Sequence, residues 1–213
     1  MSNRPIIFSA PMVRAILDGR KTVTRRILKP QPNSGPNGEM VHLGDGSWGL
    51  SDGVLTGEWK LARPGDRLWV REAWRSTAIY DVLSPSEMNG KEPIRYECDE
   101  TWQTWGWKLA DKHGRLRPSI HMPRWASRIT LEVTEVRVQR LQDISEEDAK
   151  AEGAPCCVTD GEGKFYCFDM PNRGTHKCGF AGLWSSIHGP GSWDANQWVA
   201  AITFKIANQE PTP

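Results

Sequence analysis

No apolar run in this 213-residue chain approaches the roughly 20 residues needed to span a bilayer. Residues 1–8 hold no long apolar stretch after a basic start, so a secretory leader is not expected and the cytoplasm is the expected compartment. In that setting the odd count of five cysteines points to free thiols rather than a disulfide framework. Internal repeats and coiled-coil heptads are missing. So are Gly-x-x-x-x-Gly-Lys-Ser/Thr, Gly-x-Ser-x-Gly and His-Glu-x-x-His, which leaves kinase, lipase and zincin readings without support.

What is present is a soluble globular composition, 38% hydrophobic and 25% charged, in a length that suits one domain with a proper core. The net charge of +1 hides a segregation. Residues 1–30 carry Arg4, Arg14, Arg20, Lys21, Arg25, Arg26 and Lys29 against Asp18 alone. Residues 112–128 carry Lys112, Arg115, Arg117, Arg124 and Arg128 and no acid. Residues 142–152 reverse the sign, with Asp143, Glu146, Glu147, Asp148 and Glu152 against Lys150. Basic runs are either solvated faces or surfaces for anions, nucleic acid among them. Eleven tryptophans could fill a core or stack on bases, so their number alone decides nothing.

Along the chain, residues 5–9 read as a short strand and 11–18 as a helix. Pro11 suits its first turn and Gly19 its end. Thr22 to Leu28 alternates as a strand that stops before Pro30. Residues 30–62 read as a long loop, Arg67 to Glu72 as a strand, and 76–118 as an irregular, Trp-rich insertion. Arg128 to Gln139 reads as a long strand whose alternation changes phase between Val133 and Val136, the mark of a bulge or bend. Ser145 should cap a short helix ending at Gly153, with Asp148 at the capping-box position and Ile144 as half of a staple. A second polar insertion covers 154–178. Phe180, Leu183, Trp184 and Ile187 mark a helix, and Trp198 to Ile206 the last strand. Helices do not alternate regularly with strands, so the expected class is α+β, a small mixed β-barrel with short flanking helices and long loop insertions.

The densest polar cluster is Gly19-Arg20-Lys21-Thr22-Val23-Thr24-Arg25-Arg26. In a strand, Thr24 and Arg26 share one face and Val23 and Arg25 the other. Lys21, in the turn before it, can fold toward Thr24. Neighbouring cations and burial lower a lysine's pKa, and a neutral lysine can activate a threonine hydroxyl. An exposed basic turn, binding phosphate or nothing, is the alternative.

Gly19-x-Lys21-x-x-Thr24-x-Arg26 resembles the signature turn of the ASCH family, whose fold is a PUA-like β-barrel. That signature is usually written Gly-x-Lys-x-x-Glu-x-Arg. Thr24 stands at its Glu position, as in the subgroup of small N4-acetylcytidine amidohydrolases. The resemblance implies Thr24 as nucleophile, Lys21 as its activator and Glu152, on the helix begun by Ile144-Ser145-Glu146, as third member. It spans roughly 5–29, 63–73, 128–153 and 197–206. The phrases Phe8-Ser9-Ala10-Pro11-Met12-Val13, His121 to Arg128 and Ser192-Trp193-Asp194-Ala195-Asn196 resemble larger ASCH-like proteins of phages and prophages. The whole chain is then one ASCH/PUA-like domain with insertions at about 30–62, 76–118 and 154–178.

Further binding candidates are Arg20, Arg25 and Arg26 in the turn, and Glu72 and Trp74 at the end of the 67–72 strand. Arg124, Trp125 and Arg128 complete the set, as phosphate and stacking groups. Glu72 could pair with a basic-turn arginine or accept from a base amine. Cys157, Cys167, His176 and Cys178 are the zinc candidates, beside Cys156. Their spacing lacks any Cys-x-x-Cys pair, so no metal and no cofactor is expected. The expected partner is a modified nucleoside or RNA, with DNA as a further option and no membrane. Three functions stay open. One is binding of a nucleoside or base in a basic cleft, with hydrolysis of the N4-acetyl amide. The others are a non-catalytic RNA- or DNA-binding module and a ribonuclease.

Overall fold

The structure, a computed structural model, describes residues 2–32, 39–43, 47–51, 55–59, 61–105, 112–156 and 174–207. The chain opens with β1 (Asn3–Ile7) and α1 (Ala10–Leu17). Pro11 occupies the first turn of α1, where its missing N–H costs no helical bond. The helix buries Val13, Ala15 and Ile16. Gly19 leaves it at φ +70°, a backbone shape that a side chain would strain. Then come β2 (Val23–Ile27), β3 (Glu39–Leu43), β4 (Ser47–Ser51), β5 (Leu55–Trp59), β6 (Arg67–Arg71), β7 (Trp74–Arg75), β8 (Ile94–Tyr96) and β9 (Trp102–Gln103). The remainder is β10 (Thr130–Arg140), α2 (Glu146–Ala151), α3 (His176–His188) and β11 (Trp198–Ile206), with four single turns of 3-10 helix among the described residues.

Five strands form one mixed sheet in the order β1-β6-β10-β11-β2. β1 runs parallel to β6, with Pro5 opposite Trp69, and β10 runs antiparallel to β6, with Thr130 opposite Trp69. β11 runs antiparallel to β2, with Ile202 opposite Thr24. Two three-stranded sheets, β3-β4-β5 and β7-β8-β9, complete the strands. The class is therefore α+β, with sheets and few helices. The order ends on β1 and β2, and no pairing among the described residues closes it into a barrel.

Three expectations about elements change. The long loop at 30–62 contains β3, β4 and β5, paired antiparallel with Met40 opposite Leu50 and Trp48 opposite Trp59. The insertion at 76–118 contains β8 and β9, a short hairpin that pairs back onto β7. β8 and β9 have too few residues to show a period, and β3, β4 and β5 are defined by the register between them. The phase change in β10 interrupts no strand. It marks where burial ends: Leu131 and Val133 are buried, Thr134 and Glu135 are exposed, and the rest is half-buried.

The cap of α2 is as expected in half. Ser145 Oγ accepts from the Asp148 N–H at 3.0 Å, but the Asp148 carboxylate turns to arginines instead of returning to Ser145. Ile144 and Ala149, at the staple positions, are both buried in one cluster. Helix α3 starts earlier than its apolar face suggests, because Thr175 Oγ1 accepts from Cys178 N–H and caps the polar first turn.

The chain divides into two compact units, each discontinuous in sequence. The first comprises Met1–Gly19, Asp66–Glu132 and Lys205–Pro213. Trp74, Met88, Ile94, Tyr96, Met122 and Ala126 form a core cluster there. The second comprises Arg20–Gly65 and Val133–Phe204, with a cluster built on Leu141, Ile144, Phe180, Trp184, Trp193 and Val199. No helix among the described residues is long and apolar enough to cross a membrane.

Candidate functional site

In the second unit, the turn before β2 and the end of α2 are tied together by backbone, Thr22 N–H donating to Ala151 O at 2.8 Å. This tie brings Lys21 to Glu152, the residue that caps the C-terminus of α2. Lys21 Nζ donates to Glu152 Oε2 at 2.6 Å, to Glu152 O at 2.8 Å and to Val23 O at 2.8 Å. Three acceptors match the three N–H bonds of an ammonium. The contact with Glu152 O places a cation on a helix C-terminal carbonyl, where the macrodipole favours it, and offsets the acid that stands there.

Glu152 is shared. Its Oε1 accepts from Arg25 Nη1 at 3.2 Å, while Arg25 Nη2 donates to Asp148 Oδ2 at 2.6 Å. Arg137 Nη2 donates to both oxygens of the same Asp148, at 3.0 and 2.9 Å. The Arg25 guanidinium lies 5.8 Å from the Phe180 ring centroid. Lys21, Thr24, Arg25 and Glu152 are all buried, none more than 5% exposed. Charges so far from water persist only when paired, and two carboxylates set against three cations provide the pairing. Burial pulls the Lys21 pKa down, against the raising effect of Glu152. Burial likewise pulls Arg26 down, again opposed by Glu152. For Asp148, burial raises the pKa but the bonds from Arg137 and Arg25 outweigh it, and the net shift is downward.

The structure therefore joins Lys21 to Glu152 across 131 positions. Thr24 lies on β2 opposite Ile202, and its hydroxyl makes no hydrogen bond to Lys21 or Glu152. Arg25, expected on the opposite strand face from Thr24, is the residue that shares the carboxylate with Lys21. Arg20 is exposed and Arg26 half-buried. Asp148 and Arg137 were not foreseen as members. The signal for Asp148 is its position four residues before Glu152, which puts both carboxylates on one face of α2.

The remaining candidates lie in the first unit. Glu72 is buried and pairs with Arg128 rather than with a basic-turn arginine: Nε donates to Oε1 at 2.9 Å and Nη2 to Oε2 at 3.0 Å. Arg128 also donates to Asp99 and Thr101 and lies 3.9 Å from the Tyr96 ring centroid. Burial lowers the Arg128 pKa, but Glu72 and Asp99 raise it further, and the guanidinium is held more firmly charged than usual. Trp74 is wholly buried, its ring edge-on to the half-buried Trp125 at 6.4 Å, so it is a core residue and not a free stacking surface. Arg124 is exposed, with its guanidinium 5.8 Å from the Trp69 ring centroid.

Of the zinc candidates, Cys157 and Cys167 lie outside the described residues. His176 Nδ1 is 2.8 Å from Ala154 O, Cys178 is buried, and no group of three possible ligands gathers among the described residues. Compared with family models, with curated proteins and with solved structures, the chain matches none.

Proposed function

We propose that the chain is an ASCH-type domain that binds a nucleoside or nucleic-acid base and hydrolyses the N4-acetyl amide of N4-acetylcytidine. The observation that carries this reading is the 2.6 Å bond between Lys21 and Glu152, the pair that the Gly-x-Lys-x-x-Thr-x-Arg turn and the short helix imply. In the resting arrangement all three Lys21 N–H bonds are given away, so the nitrogen has no lone pair to offer. Transfer of one proton along the short bond to Glu152 Oε2 yields a neutral amine and a neutral acid, and burial favours the neutral form of Lys21.

The neutral amine then takes the Thr24 hydroxyl proton as Oγ1 forms a bond to the acetyl carbon. The tetrahedral adduct collapses by breaking the bond to N4, which receives a proton from the Lys21–Glu152 pair, and cytidine leaves. Water cleaves the acetyl ester on Thr24, releasing acetate and restoring the hydroxyl. Arg26 supplies positive charge for the oxyanion or for a phosphate.

Chromatography of N4-acetylcytidine incubated with the protein tests the reading. Cytidine should appear with wild type and vanish with Thr24→Ala. Absence of turnover in wild type, or equal turnover in Thr24→Ala, rejects hydrolysis.

The burial of Lys21, Thr24 and Glu152 favours a second reading, a non-catalytic RNA- or DNA-binding module in which the pair is structural and the turn's accessible arginine, Arg20, meets phosphate. Its affinity should fall steeply with salt. A ribonuclease reading ranks behind both, since the sequence offers no pair of histidines placed to support it.

A further inference from the structure

The first unit holds a cleft of about 680 Å³, within the range of roughly 300–1,000 Å³ typical of small-molecule sites. Arg71, Arg115, Arg117 and His121 line it, and no carboxylate does. No acid lies within ion-pair distance of Arg71, Arg115 or Arg117 among the described residues. Asp81 accepts from Arg115 N–H at 2.9 Å and its charge also acts on Arg117, while Glu87 accepts from Ser84 N–H at 2.7 Å.

The three guanidiniums differ in how they are held. Arg117 is buried, donating to Leu83 O at 3.0 Å and Tyr80 O at 2.7 Å, with its Nε left without a partner. Carbonyl oxygens fix a guanidinium in place but leave its net charge uncancelled, and a charge in a low-dielectric wall acts over distance. Arg71 lies over Trp69, 4.7 Å from the ring centroid, and donates to Ile120 O at 3.0 Å, with its buried Nε also unpartnered. Arg115 is exposed and its side chain has no partner among the described residues. Leu116 and Ile120, 49% and 58% exposed, give the same cleft an apolar wall.

We propose that this cleft is a binding site for an organic phosphate of nucleotide size. Arg115 and His121 contact the phosphate, Arg71 and Arg117 supply the fixed positive field, and Leu116 and Ile120 cover the less polar part of the ligand. Three arginines at a cleft that no carboxylate lines outweigh the nearby Asp81 and favour an anion, and planar guanidiniums suit phosphate oxygens. The proposal uses none of Lys21, Thr24 or Glu152 and stands whether or not they hydrolyse an amide.

Calorimetric titration of the full chain in 50 mM salt tests it, with cytidine 5′-monophosphate, cytidine, inorganic phosphate and a dodecauridylate as probes. The monophosphate should bind at least tenfold more tightly than cytidine. Arg115→Gln, a change at an exposed position, should weaken the monophosphate about tenfold or more, as losing one charge-assisted bond does. His121→Asn should weaken it in the same direction, and Lys91→Gln, at an exposed position outside the cleft lining, should leave it unchanged. Binding of dodecauridylate alone, lost equally in Arg115→Gln, supports the site with a phosphodiester as the source of the phosphate. Three results overturn the proposal: no binding of any phosphate probe, cytidine binding as tightly as its monophosphate, or affinities that Arg115→Gln and His121→Asn leave intact.

Discussion

Lys21 holds Glu152 at two atoms at once, the carboxylate Oε2 at 2.6 Å and the main-chain oxygen at 2.8 Å. One ammonium therefore neutralises the acid and ends the helix that carries it. Arg25 reaches the other carboxylate oxygen, so Glu152 serves two cations, whereas among the described residues Lys21 pairs with the Glu152 carboxylate alone.

That asymmetry sets an order of stabilities. Removing one partner of a buried pair costs about 3–5 kcal/mol, because the other charge is stranded. In Lys21→Met, Glu152 keeps Arg25. In Glu152→Gln, Lys21 loses the carboxylate it pairs with among the described residues, and Arg25 falls back on Asp148. Glu152→Gln should therefore be the more destabilised of the two in urea unfolding, and the double variant should lose less than the sum. An additive double variant, or the reverse order, contradicts the shared arrangement.

How much of this was legible along the chain depends on how local each feature is. β11 runs over Trp198–Ile206, the range expected for the last strand, and Ser145 caps α2 because the cap lies three residues from its donor. β3, β4 and β5 were missed because their evidence is the register between segments, not a period within one. The Lys21–Glu152 pair was legible only through a motif, since nothing in composition links positions 131 apart. Glu72 with Arg128 was not legible as a pair at all: both were singled out for chemistry, and each spends its charge on the other. The cations of the first-unit cleft gather from β6 and from 115–121, separations that no spacing rule connects.

The pH dependence should carry two limbs, one acid and one alkaline, and stability should rise with pH along both. Burial raises the Asp99 pKa, but bonds from Arg128 and Thr101 overcome it and hold the carboxyl at about 2, against an ordinary 3.8. An acid held low in the fold stabilises it fully above its unfolded pKa, and that contribution disappears as pH falls from about 4 to about 2. Lys21 is held low for the opposite reason, burial of its charge, so the fold gains stability as pH rises toward 10.5. Unfolding free energies measured from pH 2 to 10 should show a shallower acid limb in Asp99→Asn. Over the alkaline range, wild type should gain on Lys21→Met. Parallel profiles for variant and wild type at either end remove the corresponding assignment.

Thiol labelling should separate the described cysteines. Cys98 is 1% exposed, and burial together with Glu72 pushes its pKa up to about 12, against a smaller lowering by Arg128. A buried thiol with so little thiolate is a poor nucleophile. Cys156 is half-buried, with Sγ donating to Gly174 O at 2.8 Å. Iodoacetamide at pH 8 followed by peptide mass analysis should modify Cys156 well before Cys98. Denaturant should abolish the difference. Equal labelling in the native state would show Cys98 to be accessible.

Gly179 marks a close approach of α3 to the chain at Pro155. A methyl group built on Gly179 would lie 1.9 Å from Pro155 O and 3.0 Å from Pro155 C. Both are backbone atoms, which cannot rotate out of the way as a side-chain tip can. At an unobstructed helical position, glycine to alanine stabilises by up to about 1 kcal/mol, because alanine gives up less backbone freedom. Here overpacking of about 1–3 kcal/mol opposes that gain and should exceed it. Gly179→Ala should therefore unfold at lower urea than wild type. Amide exchange should speed up at Ala154, whose N–H donates to Ala149 O next to the displaced segment. An equal or higher urea midpoint in Gly179→Ala would mean that α3 and residues 154–156 can separate by the width of a methyl group at no net loss. The near contact would then not be what demands glycine at this turn of the helix.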